Sequence, residues 1–256
     1  MKITFDSNVW RMVVSPAKFP KNELRDVYIA LYTSIAEGRN LGFLSETIFR
    51  VEGIQNSARR DFLANYSTKP EKLVQELPGN VVHVRLSFGP STTNMVEGSD
   101  YHRLHLADAR NLGVKLLHCP RLGNQQNPDV LDSDYVAQSS EDLESVSRIF
   151  SIVVQEIENL GCGMRWLTDI GEKYADHWRD GLRSAPQSEA IDIAKAVAEW
   201  ADADSLAAHI AYGNDVFCTL DVGKSAGSKS ILSKSNLDSL KSRYGLRVHG
   251  PKEIAP

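Results

Sequence analysis

An α/β fold with a mostly parallel central sheet is what the sequence predicts, and three observations carry that reading. Short apolar runs suited to buried strands recur along the chain, spacings of three and four residues mark amphipathic helices between them, and Gly or Asn punctuates the joins. Residues 2 to 5 form the first predicted strand. Asn22 to Glu37, with Leu24, Val27, Leu31 and Ile35 on one stripe, predicts a helix stopped at Gly38. Leu41 to Leu44 predicts a second strand, and Ser45 suits the N-cap of a helix running to about Tyr66. Gly79 to Phe88 partly alternates and reads as another strand, followed by a helix over 101–112 and a strand over 114–118. Pro120 to Ser140, rich in Pro, Asn, Gln, Asp and Ser, reads as a loop or linker. Helices are predicted over about 141–160, 165–183 and 187–213, the last without Gly or Pro between Pro186 and Gly213. A strand over 215–219, a Gly/Ser/Lys loop over 223–235, a helix over 236–244 and a last strand at 246–248 complete the pattern.

At 256 residues and 42% hydrophobic, the chain is long enough to bury a substantial core as one large domain or one domain with an insertion. The first apolar stretch is short and interrupted by Asp6 and Arg11, so neither a signal peptide nor a membrane span is expected and a cytoplasmic location is. Cys119, Cys162 and Cys218 are odd in number and lack CxxC spacing, which predicts buried free thiols. A net charge of −4 excludes a simple basic nucleic-acid binder. The charge is uneven, however. Residues 222–256 hold seven Lys or Arg against two acids, so a basic tail that could meet phosphates follows an acidic body.

The acids are the main clue to function. In parallel sheets ligands collect beyond the carboxyl ends of the strands, and Asp6 and Asp221 both stand at such ends. Glu52, with Glu46 as its alternative, lies on the predicted helix after the second strand. Asp204, with Asp202 as its alternative, lies on the long helix near the C-terminal end; two residues apart, those two face nearly opposite ways, and Asp202 could instead cap the helix. Asp215 precedes its strand and belongs at the wrong end of the sheet. Carboxylates brought to ~5 Å would repel by ~3 kcal/mol per pair at an effective dielectric near 20. Mg²⁺ or Mn²⁺ resolves such repulsion, prefers oxygen ligands and retains waters for hydrolytic chemistry. Asn8 can orient the Asp6 carboxylate, and Thr219 shares the strand face of Asp221. Lys224 and Lys229, on the basic loop, are candidates to grip a nucleic-acid backbone.

These residues resemble the PIN-domain family of Mg²⁺/Mn²⁺-dependent nucleases. The resemblance rests on Asp6-Ser7-Asn8 after a strand, on Glu52 in the helix after the second strand, on Asp204-Ser205-Leu206-Ala207-Ala208 heading a helix, and on Thr219-Leu220-Asp221 ending a strand. Leu237-Asp238-Ser239-Leu240 and Tyr244-Gly245-Leu246-Arg247-Val248 also look like a PIN ending. It covers about 1–60 and 200–250. The resemblance implies a three-layer α/β/α fold with a discontinuous core of about 1–118 and 200–256 and a large, mainly helical insertion at about 120–200. It selects Asp6, Glu52, Asp204 and Asp221 as catalytic, metal-holding acids of an endoribonuclease that leaves 5′-phosphate and 3′-hydroxyl ends. It further implies an RNA substrate, an antitoxin or other protein partner as in toxin–antitoxin pairs, and a homodimer. Two other readings stand beside it: a non-catalytic PIN-like module that binds RNA or protein, and a metal-dependent phosphatase of small molecules.

Other patterns carry less. The run from Gly223 to Ser230 misses P-loop spacing, and neither GxGxxG nor GxSxG occurs. His102, His105 and Asp108 read as a solvent-facing polar stripe rather than a zinc or iron site. His209 reads as a core or groove histidine, and Trp166 and Trp178 as packing residues of the inserted helices.

Overall fold

The computed structural model describes residues 1–52, 58–65, 68–77, 81–90, 100–122, 129–136, 140–224 and 226–256. Strand β1 (Lys2–Phe5) lies at the centre of a five-stranded sheet and leads through α1 (Trp10–Val14) and α2 (Arg25–Ala36) to β2 (Leu41–Ser45). A short π-helical turn, Ile48–Glu52, and α3 (Arg59–Asn65) follow in place of the one continuous helix expected from 45 to 66; residues 53–57 lie outside the described set. Ser45 still serves as a local cap, its hydroxyl accepting the Thr47 N–H at 3.3 Å.

Strands β3 (Thr68–Leu77) and β4 (Val81–Pro90) pair antiparallel in a two-stranded sheet of their own, so the strand expected near 79–88 does not join the parallel sheet. Next come α4 (Asp100–Asn111), β5 (Lys115–Leu117), α5 (Ser140–Asn159), α6 (Met164–Glu172), α7 (Trp178–Ser184) and the long α8 (Ala190–Ala211). The chain then adds β6 (Val216–Cys218), α9 (Lys234–Tyr244), β7 (Val248–His249) and α10 (Pro251–Ile254).

Sheet order is β5-β2-β1-β6-β7, and every pairing in it is parallel. From β1 the chain steps outward through β2 to β5, then returns to place β6 on the other side of β1. Right-handed crossovers therefore put the helices of the first direction on one face and those of the second on the opposite face. The core follows that rule. Ile3, Phe5, Leu44, Leu116, Val216 and Cys218 pack with α1, α2, α4 and α10, whereas Phe43, Leu117 and Phe217 pack with α5 to α9. Adjacent strand residues face opposite sides, which is why Phe217 and Cys218 enter different clusters. Within the segment expected as an insertion, α5 and α6 pack on α8, and α8 packs on β2.

All three cysteines are free and buried, and among the described residues no helix is long and apolar enough to cross a membrane. Helices α6 and α7 meet at glycines. A Cβ on Gly181 would lie 1.8 Å from the Gly171 carbonyl oxygen, and one on Gly171 would lie 2.2 Å from that of Trp178. Gly181→Ala should therefore lower unfolding stability by about 1–3 kcal/mol, read from a denaturant midpoint. An unchanged midpoint would disprove this close backbone approach.

Candidate metal centre

Strand order reverses between β1 and β6, the point at which ligands collect in parallel sheets; Asp6 directly follows β1, and Asp221 stands three residues beyond β6. The Asp6 N–H continues the sheet by donating to the Cys218 carbonyl at 3.0 Å. Three donors then hold the Asp6 carboxylate: the Ser7 N–H at 2.7 Å, the Asn8 amide at 2.8 Å and the Thr219 hydroxyl at 2.5 Å. Asn8 spans the gap, donating to Thr219 Oγ1 at 3.1 Å and accepting the Leu220 N–H at 3.1 Å. Thr219 Oγ1 in turn accepts the Asp221 N–H at 2.9 Å. One hydrogen-bonded unit thereby fixes both strand exits. The Asp221 carboxylate accepts the Gly223 N–H at 2.8 Å, and Gly223, at φ +68°, sits so close to the Leu232–Ser233 backbone that a Cβ would meet Ser233 N at 2.5 Å.

Glu52 ends the π-helical turn after β2, beside Ser7, with Oε2 buried without a hydrogen-bond partner. Its α-carbon position is set by Arg59, whose guanidinium donates to the Glu52 carbonyl at 3.3 Å and to the Ala194 carbonyl of α8 at 3.2 Å. Glu46, the alternative to Glu52, serves structure instead. Its carboxylate accepts the Cys119 N–H at 2.5 Å and the Tyr135 hydroxyl at 2.9 Å, and pairs with Arg50 at 3.1 Å.

Helix α8 corrects the sequence expectation. Asp204 does not join the other acids: it is fully buried, forms a short ion pair with Arg121, and accepts the Trp200 indole N–H at 3.0 Å. Arg121 also bridges to Glu158 of α5. Two residues along a helix rotate the side chain by ~200°, so a register that turns Asp204 into the helical layer turns Asp202 toward the sheet's carboxyl ends. Asp202, read from sequence as a possible cap, is half-buried mid-helix and interacts electrostatically with Asp6, Glu52, Glu199 and Asp221. Glu199, one turn earlier, is buried beside Ser230 and Ile231, and its Oε2 has no hydrogen-bond partner.

Burial, before any other cause, raises the carboxyl pKa values of these groups. Asp6 is raised despite its three donors, and Asp202 is raised far more, with the neighbouring acids adding to burial. Glu52 is pushed to about 7 by burial and then by Asp6, and Glu199 to about 7 by burial with a smaller push from Asp221. Such groups stabilise the fold below their unfolded pKa and lose that contribution as pH climbs through the folded value. Buried His209, held near 4 by burial and bonded to Thr4 Oγ1 at 2.9 Å, acts oppositely, its contribution being lost as pH falls below about 6.5. With several acids against one histidine, the cation-free protein should lose stability between pH 5 and 7, by on the order of a few kcal/mol. Saturating Mn²⁺ should reverse that slope, because it removes the acids' preference for protonation and leaves His209. Thermal melts across pH with and without Mn²⁺ test this, and an identical slope in both would refute it.

Comparisons with family models, curated proteins and solved structures return no match. The test of fit to a divalent cation is therefore chemical. Buried oxygens without partners on Glu52 and Glu199, in a group of acids whose charged forms disfavour one another, suit a hard cation. Among the described residues no three His, Cys, Asp or Glu are already drawn together as a ready-made ligand set.

The remaining expected residues divide. Lys224 is exposed in the turn after Asp221, whereas Lys229 lies over the Trp166 ring at 4.7 Å from its centroid. Asp215 lies at the opposite end of the sheet, accepting the Lys2 N–H at 2.6 Å. His105 is buried against Trp10 and Phe19, and Asp108 pairs with Lys18 at 2.7 Å, so these residues are packing and pairing groups rather than a solvent-facing stripe.

Proposed function

We propose that the chain is a Mg²⁺- or Mn²⁺-dependent ribonuclease of PIN type, with Asp6, Glu52, Asp202 and Asp221 as the carboxylates that hold the cation. The observation that supports this reading is the hydrogen-bonded unit of Asn8 and Thr219 that joins the Asp6 carboxylate to the Asp221 backbone where β1 and β6 end, with Asp202 of α8 in electrostatic reach of both acids. A divalent cation held there would make water a better nucleophile and offset charge on a phosphoryl oxygen. The chain's own contribution is orientation. Ser7, Asn8 and Thr219 fix the Asp6 oxygens, the Gly223 N–H fixes Asp221, and Arg59 ties the turn bearing Glu52 to α8. Lys224, three residues beyond Asp221, supplies positive charge where a polyanion would approach.

RNA rather than DNA, an antitoxin or other protein partner, and a homodimer belong to the same proposal and rest on the resemblance to PIN proteins. The test is a digestion of RNA with metal-stripped protein, with and without Mn²⁺, read by end-group analysis. Mn²⁺-dependent products with 5′-phosphate and 3′-hydroxyl ends are expected. Cation binding without turnover across a broad RNA panel would instead favour a binding module, and hydrolysis of small phosphoesters with RNA left intact would favour a phosphatase.

A further inference from the structure

His118 directly follows β5, at the same end of the parallel sheet as Asp6 and two strand spacings, or about 10 Å, from the exit of β1. Its ring is fixed from three directions. Tyr135 lies flat against one face, with ring centroids 3.8 Å apart and planes within 2° of parallel. Glu46 Oε2, at the exit of β2, lies 3.6 Å from Nδ1. The His118 backbone N–H donates to the hydroxyl of Tyr212, at the end of α8, at 3.3 Å. Tyr135 is itself buried, and its hydroxyl donates to Glu46 at 2.9 Å and accepts from Arg50 at 3.2 Å, so the lower ring cannot tilt without breaking buried bonds. The His118 side chain is nevertheless 27% exposed. With one face on Tyr135 and Nδ1 turned to Glu46, that exposure belongs to the opposite face and the far edge.

A solvent-facing side chain without such supports samples several rotamers. This one is a flat π surface whose orientation is set in advance, which lowers the ordering cost of stacking a second flat ring on it. Unpaired bases are the flat rings of single-stranded nucleic acid, and proteins hold them on aromatic side chains, histidine included. Arg50, 3.1 Å from Glu46, offsets the carboxylate beneath the stack, so that a polyanion is not turned away there. We propose that the His118–Tyr135 stack is a nucleobase platform, which takes an unpaired base of an RNA strand whose backbone crosses the carboxyl ends of β5, β2, β1 and β6. The inference rests on the ribonuclease reading above for the kind of ligand, and it adds where a base beside the cleaved phosphodiester is held.

Fluorescence anisotropy of a short labelled single-stranded oligoribonucleotide, in metal-free buffer of low ionic strength, tests this beside a strand of equal length without bases. Wild type should bind the intact strand more tightly than the abasic one. His118→Ala should weaken the intact strand by roughly 5- to 150-fold, the range of one base stack, and leave the abasic strand unchanged. His118→Phe keeps a flat ring and should restore most of the affinity. Upfield movement of the His118 ring protons in nuclear magnetic resonance, as the intact strand is added to wild type, gives a readout independent of any variant. Equal affinity of wild type and His118→Ala for the intact strand, ring protons that do not move, or no binding of either strand by wild type would overturn the platform. Mn²⁺-dependent cleavage by the same proteins separates the two proposals. Cleavage with KM unchanged in His118→Ala overturns the platform and leaves the ribonuclease reading standing, whereas base-dependent binding without cleavage supports the platform and overturns the ribonuclease reading.

Discussion

Asp202→Asn should lower Mn²⁺-dependent RNA cleavage by more than about 100-fold, as should Asp6→Asn and Asp221→Asn, whereas Asp204→Asn should keep cleavage per folded molecule near that of wild type. Loss of groups that merely orient metal ligands typically weakens affinity or activity by about 10–100-fold, so loss of a ligand sets a larger floor. Asp202 has three acid-bearing elements as electrostatic neighbours, while Asp204 spends its charge on Arg121 and its second oxygen on Trp200. The stability effects should run the other way. Without cation, Asp202→Asn should raise Tm, because the charged form it removes is disfavoured by burial and by like charge. Asp204→Asn should lower Tm by unpairing Arg121. Cleavage that survives Asp202→Asn but not Asp204→Asn, in variants of native circular dichroism, would return the site to Asp204.

The second large effect concerns that ion pair. Arg121→Ala should destabilise the protein by about 3–5 kcal/mol, because it leaves Asp204 charged, fully buried and held only by the Trp200 N–H. Arg121 links the start of the segment after β5 to α8 and, through Glu158, to α5, so its removal loosens two helices of the same layer. Joint replacement by Arg121→Met and Asp204→Leu should recover much of the loss, since apolar residues of similar volume replace buried ion pairs well. Denaturant unfolding of the single and double variants closes the cycle. A loss below about 1 kcal/mol in Arg121→Ala would place the pair among surface-like interactions of little weight.

Much of the framework was legible because strand and helix periods differ. Short apolar runs set β1, β2, β5 and β6, and the three-and-four spacing of Leu24, Val27, Leu31 and Ile35 marked α2. Asp6 and Asp221 could be placed at strand ends for the same reason. Choosing between Asp202 and Asp204 needed the rotational register of α8, which short motif spacing does not define. A signal was present: Asp204 falls one turn after Trp200 and two after Val197, both buried, so it lies on the apolar stripe where an acid requires a partner. That partner, Arg121, is 83 residues away, in the stretch from Pro120 to Ser140 that reads as a loop or linker. The hairpin of β3 and β4 was half seen, because a run of Lys, Glu and Gln such as 69–76 lacks the apolar alternation that betrays a strand. The burial of Glu199 was unreadable for a different reason, since the residues beside its carboxylate come from a loop 31 and 32 residues onward.

Sheet order carries a consequence for synthesis. The central strand leaves the ribosome first, yet the neighbour that brings Asp221 is β6, more than two hundred residues later. Until that neighbour emerges, the nascent polypeptide has half of its acidic pocket and none of the Thr219 clasp on Asp6. On the proposed reading, the site is therefore completed only after β6 has been made.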